Sequence, residues 1–153
     1  MREHGYLTTE TKISSAVTPT EGAAAATVLN GTILDMLGFE GVLILVRMGV
    51  ITGTAVTSIK AQQGVASDMS DAADLAGTGQ TIADDQDEKT FYIDLFRPAE
   101  RYVRLVVGRG TANAVVSSAH YLQYGATGPD ATPVTQGALV NGEQHVSPAE
   151  GTA

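Results

Sequence analysis

Gly41-Val42-Leu43-Ile44-Leu45-Val46-Arg47-Met48 is the stretch that decides the fold. It is short and almost wholly apolar, its Val and Ile are β-branched, and Gly38 and Gly49 bracket it. A run of this kind reads as a central strand covered on both faces rather than as a helix. Working outward, Phe91-Tyr92-Ile93-Asp94-Leu95-Phe96 alternates, placing Phe91, Ile93 and Leu95 on one face before Pro98 stops it. Arg101-Tyr102-Val103-Arg104-Leu105-Val106-Val107 alternates again, with Val103, Leu105 and Val107 inward and Tyr102 and Arg104 on the opposite face. Gly108-Arg109-Gly110 reads as a turn, and residues 114–124 as a further long strand. Weaker strands are expected at 24–29, 33–36 and 55–61, with Asn30-Gly31 turning between the first two.

Helical signal is scarce. Ser67 is placed to cap a short turn over 68–75, with Asp68 and Asp71 at its positive end and Asp74 continuing one exposed edge. Short strands punctuated by turn signals point to an all-β chain, a jelly-roll-like β-sandwich. Composition divides the chain in three: a polar N-terminal arm over 1–22, a β-sandwich domain over 23–124, and a Gly/Pro-rich C-terminal arm over 125–153. That last segment holds Pro129, Pro133 and Pro148, five glycines from Gly125 to Gly151, and only Asp130, Glu143 and Glu150 as charges. Alone it buries too little apolar surface to offset its ordering entropy. It is therefore either a loose end or an arm that orders against a neighbouring subunit. The sizeable apolar residues available as anchors are Val134, Leu139 and Val140, besides Val146, at the back, and Tyr6, Leu7 and Ile13 at the front.

Charge and composition exclude several classes. Of 153 residues only 17% are charged, against about 25% in an average domain. A disordered chain would need the reverse balance. Nine cations against 17 acids give −8, a poor match to nucleic acid, where binding runs on cation density. Cysteine is absent, so disulfides, thiolate metal sites and a cysteine nucleophile are all out. The longest unbroken apolar run, 42–46, falls far short of a membrane helix, and the N-terminus lacks the apolar stretch of a secretory leader. A product made in the cytosol and left unprocessed is expected.

No motif spells out a reaction. Asp84, Asp85, Asp87 and Glu88 lack the spacing and glycine of a calcium loop and read as a solvated acidic loop. His4, His120 and His145 are far apart, and His120 reads as a packed or interface histidine rather than a base. Ser117 and Ser118 lack the Gly-x-Ser-x-Gly elbow. Gly77-Thr78-Gly79 lacks the lysine of a phosphate loop. Lys89, Arg97, Arg101, Arg104 and Arg109 cluster within about twenty residues among Asp94 and Glu100. That pattern suits cross-strand pairing at a sheet surface or, functionally, a face that docks an acidic partner through residues such as Arg101 and Arg104. No enzyme activity, cofactor or metal is expected.

Three stretches carry a resemblance: Leu29-Asn30-Gly31-Thr32-Ile33-Leu34-Asp35-Met36-Leu37-Gly38-Phe39-Glu40-Gly41-Val42-Leu43, then Val50-Ile51-Thr52-Gly53-Thr54, then Pro98-Ala99-Glu100-Arg101-Tyr102-Val103-Arg104-Leu105. Their Asn-Gly-Thr, Asp-Met-x-Gly-Phe-Glu and Arg-Tyr-Val-Arg elements resemble a family of small tailed-bacteriophage capsid decoration (cement) proteins. The chain departs from that pattern in its tail after Tyr124 and in an expanded 58–87 region. The resemblance implies a virion protein made in the bacterial host cytoplasm and placed on the outer capsid surface. Its implied partners are the major capsid protein, whose neighbouring subunits it clamps, and itself, as a dimer or trimer. Nucleic acid and membrane are not among them. The alternatives are a neck, tail or fibre-associated virion protein, or a glycan-binding β-sandwich module; absent Trp and 5% aromatics count against the last.

Overall fold

The alternating segments build two antiparallel sheets that close on one hydrophobic core. The computed structural model describes residues 5–127, 134–147 and 149–152; His4, Gly128, Pro129, Asp130, Pro133 and Pro148 lie outside them. A single helical turn, α1 (Leu7–Glu10), precedes β1 (Lys12–Val17), β2 (Leu29–Asn30), β3 (Leu34–Asp35), β4 (Phe39–Ile51) and β5 (Val56–Gly64). Then follow β6 (Ala73–Asp74), β7 (Gln80–Ile82), β8 (Thr90–Phe96), β9 (Tyr102–Gly110) and β10 (Ala114–Ala126). The first sheet runs β1-β10-β4-β8. The second runs β2-β9-β5-β6, with β3 also on β9 and β7 also on β5.

The pairing is nested. β1 pairs with β10, β2 and β3 with β9, β4 with β8, and β5 with β6 and β7. This is one long hairpin rolled over, so that β10 also joins β4 and β9 also joins β5. The inward half of β4 (Val42, Ile44, Val46, Met48) is fully buried, as are Val103, Leu105 and Val107 of β9. Burying a side chain of this size stabilises by roughly 1.5–3 kcal/mol. Tyr121 ties the sheets together: its hydroxyl accepts from the Leu105 N–H and donates to the Thr32 carbonyl, both at 2.8 Å. Burial pushes that phenol far above its ordinary pKa.

Several local expectations change. Residues 12–17, assigned to an arm, are the edge strand β1, because Ala16 and Val17 bury completely or nearly so against the core. Asn30-Gly31 does not turn a hairpin: β2 and β3 both lie along β9, and the Gly31 N–H donates to the Leu105 carbonyl. Gly108-Arg109-Gly110 continues β9 instead of turning. Arg109 takes the next inward position after Val107, where its guanidinium donates to the carbonyls of Thr27 and Ala23 at 2.9 Å and of Ala114 at 3.4 Å. Residues 68–75 form turns and β6, not a helix. Asp71 accepts from the Val65 and Ala66 N–H groups and Asp68 from Ser70, bonds that compete with helical ones.

The two outer faces differ. On the second sheet, Lys60 and Gln62 both bond Asp74 at 2.7 Å, and Arg104 donates to Gln62 at 2.9 Å. On the first sheet, Leu43 and Leu45 of β4 face away from the core beside Leu122 of β10, all partly exposed, while Tyr92 and Phe96 of β8 are 64% and 62% exposed. The apolar run is thus central but covered on one side only.

Candidate functional site

The second and third elements of the resemblance lie about sixty residues apart and meet at one end of the sandwich. Asp35 ends β3, whose neighbour is the start of β9 (Leu34 opposite Val103, Asp35 opposite Tyr102). That register brings Arg101 onto Asp35 as a two-pronged pair, Nε to Oδ1 at 2.9 Å and Nη2 to Oδ2 at 2.8 Å. The Leu37 N–H also donates to Asp35 Oδ1, and the Met36 N–H to the Arg101 carbonyl. The Arg101 guanidinium holds the Asp35 carboxyl below its ordinary 3.8. Met36 buries into the core, Gly38 takes a left-handed φ of 87° to turn the chain, and Phe39 packs back on the core. Leu37 is left at the tip, 69% exposed.

A second pair closes the same surface. Glu40 accepts from Arg97 Nη2 at 3.0 Å, and the Glu40 carbonyl accepts the Arg97 N–H at 2.7 Å. Arg97 stacks on the Phe96 ring at 4.9 Å and has φ 53°, a left-handed conformation that costs an L-residue about 1–3 kcal/mol. Between the two pairs lies an open groove of about 470 Å³ lined by Leu37, Phe39, Pro98, Ala99 and Glu100. Nearby, Tyr124 donates to Asp94 at 2.7 Å; burial first, and the Asp94 carboxylate second, push its phenol up to about 12.

The terminal anchors meet elsewhere. Ile13 of β1, Val134 and Val140 line one groove of about 360 Å³ with Thr8 and Gln136. Residues 134–137 lie along the outer edge of β1: the Val134 N–H donates to the Thr9 carbonyl and the Gly137 N–H to the Ile13 carbonyl. Gln136 makes the join, accepting the Ile13 N–H at 2.8 Å while donating to the Thr8 and Thr11 carbonyls at 3.0 and 2.9 Å. An amide side chain does this because it carries donor and acceptor together. The described part of the tail therefore folds back on its own chain. Tyr6, Leu7 and Leu139 stay on the surface, the last two 73% exposed. Arg101 belongs to the motif surface and Arg104 to the second sheet's outer face, so the eight anchor residues occupy three separate places. Gln136 and the buried Arg109 were not anticipated. Extending the alternation of β9 by two residues was the available signal for Arg109; Gln136 had none.

The remaining candidates are structural. Asp84 and Asp87 accept backbone N–H groups of Thr54 and Ile51, so half of the acidic loop holds the turn after β4. Thr78, within Gly77-Thr78-Gly79, accepts the Ala61 N–H and donates to the Leu75 carbonyl. His120 is exposed on the first sheet's outer face rather than packed. Among the described residues, no three His, Asp or Glu side chains gather in a metal-binding group, and no helix is long and apolar enough to cross a membrane. No protein-family model matches the chain, and no curated protein matches it.

Proposed function

We propose that this chain is a bacteriophage capsid decoration protein that clamps neighbouring major capsid protein subunits on the outer surface of the shell. The observation that carries the reading is the meeting of Asp35-Met36-Leu37-Gly38-Phe39-Glu40 with Arg101, which opens the Arg-Tyr-Val-Arg element, at one exposed surface. Two of the three stretches that resemble decoration proteins thereby meet in space; the remaining one, Val50-Ile51-Thr52-Gly53-Thr54, lies at the far end of β4. The Asp35–Arg101 and Glu40–Arg97 pairs fix the backbone, Met36 and Phe39 anchor it to the core, and Leu37 is presented. A rigid projecting apolar tip suits binding by shape, with little ordering entropy left to lose on contact.

The strand arrangement supports the same reading. Counting β2 with β3 and β6 with β7 gives eight strands, nested first with last and rolled into two sheets, which is the pairing rule of a jelly roll, an architecture common in viral shells. Repetition over an icosahedral surface lets each contact be weak while the whole holds, since linked copies bind with avidity.

The test is a shell assembled from the major capsid protein with and without the full chain. The chain should bind at saturation in hundreds of copies per particle, and coated shells should rupture at a higher temperature. Saturation at about a dozen copies would move the protein to a neck or tail. Equal rupture temperatures at full occupancy would remove the clamping role.

A further inference from the structure

We propose that the outer face of the first sheet is an interface between two copies of this chain, packed face to face about a two-fold axis crossing β4 between Leu43 and Leu45. Strand β4 is apolar on both sides, yet only its inward side is covered. Val42, Ile44 and Val46 are fully buried, whereas Leu43 and Leu45 stand outside the core. Register extends the apolar row sideways: Leu45 lies opposite Tyr92 on β8, and Leu43 opposite Leu122 on β10, which in turn faces Ile13 on β1. Of the described residues, the tail meets this face at its β1 side, where Val140 lines a groove with Ile13 and, with Leu139, another with Ser15, Ser118 and His120; the β4 and β8 side is open, with Tyr92 and Phe96 well exposed.

Its charges select a second copy as the occupant. Arg47 is exposed at one end of the row; Asp94, opposite Leu43, lies toward the other. At that far end Gly41 sits between Tyr124 and Phe96, and the Tyr124 ring occupies the space a side chain would take, 2.3 Å from where a Cβ would stand. An axis perpendicular to the strands exchanges the two ends. It lays Arg47 of each copy over the aromatic rings beside Gly41 of the other, close to Asp94, where a guanidinium gains both a ring face and a carboxylate. Leu43 of each copy then lies over Leu45 of the other, and Leu122 over His120. An axis parallel to the strands would instead set the two Arg47 side chains near each other, and like charges disfavour it.

Size sets the strength. Three strands (β10, β4 and β8) spaced about 4.8 Å apart, seven residues long at about 3.3 Å each, give a footprint of roughly 330 Å² per copy. Stable pairs bury about 800 Å² per partner, so the dimer is weak in isolation. Since both partners are this chain, the inference does not depend on the capsid reading.

Sedimentation velocity of the full chain from about 1 µM to about 500 µM tests it. A reversible monomer–dimer equilibrium is expected. Leu45→Glu should raise the dissociation constant roughly tenfold or more, and Arg47→Glu similarly. The double exchange Arg47→Glu with Asp94→Lys should recover part of the loss. Lys60→Glu, on the second sheet, should change nothing. Arg47 is exposed, so its variant folds even where Leu45→Glu does not, and far-UV circular dichroism at low concentration verifies this. A chain that stays monomeric throughout, or a dimer indifferent to both Arg47→Glu and Leu45→Glu, overturns the proposal. So does a monomer whose Leu45→Glu variant loses only its binding to capsid shells, since the face would then belong to the shell.

Discussion

The outer faces of the two sheets share a geometry and differ in what they do with their side chains. The second sheet pairs its polar groups within itself: Lys60 and Gln62 with Asp74, Arg104 with Gln62, Arg101 with Asp35. The first sheet presents leucines and aromatics, with Arg47 toward one end and Asp94, bonded by Tyr124, toward the other. A face whose charges are satisfied locally gains little from a partner, because docking would strip water from groups that already have their bonds. A face of apolar side chains gains from any cover that removes them from water. The difference separates a surface built to remain in solvent from one built to be met.

The sharpest way to break the comparison is within one strand. Ile44→Ala, on the core side of β4, should cost about 2–5 kcal/mol, because it leaves a cavity between the sheets. Leu45→Ala, one residue on, should cost the isolated monomer less than about 1 kcal/mol. Urea melts of dilute protein check both; equal losses would mean that the outer face is already covered by the chain itself. A smaller effect concerns the second sheet's edge. Asp35 has its carboxyl pKa lowered in the folded state, so its pairing with Arg101 stabilises fully at pH values well above 3.8 and is lost as pH falls through the depressed value. Wild type should therefore be more stable than Asp35→Asn at neutral pH, and the gap should narrow in acid. A gap independent of pH would show that the pair contributes by shape alone. The smallest effect is Lys60→Ala, which removes an exposed pair and should leave the melting temperature unchanged within error.

Much of the fold was legible because period-two alternation is a local signal. β8 and β9 were placed by it, and the inward set Val103, Leu105 and Val107 is fully buried as expected. What failed was punctuation. Gly108 and Gly110 suggested a turn, but glycine also serves where a strand passes close to a neighbour, and the Arg109 between them is held by carbonyls from distant residues. Asn30-Gly31 failed similarly, since a third strand, β9, competes for both flanking segments. The apolar run 41–48 placed β4 at the centre of a sheet, yet composition does not state whether the second cover comes from the same chain. Of the candidate site, the motif residues were quoted but their meeting depends on the β3–β9 register. Of the terminal anchors, Ile13, Val134 and Val140 share one groove within the chain, and the join there rests on Gln136, whose hydrogen bonds no pattern announces.

The nested pairing has a consequence for how the molecule is made. β1 has no strand beside it until β10 has left the ribosome, and β2 and β3 must wait for β9. Nearly every pairing spans a long loop, so closure is slow and arrives late in synthesis. Until then the run 41–48 emerges with neither of its neighbours, and a nascent chain stalled before residue 90 should be a ready client for a chaperone.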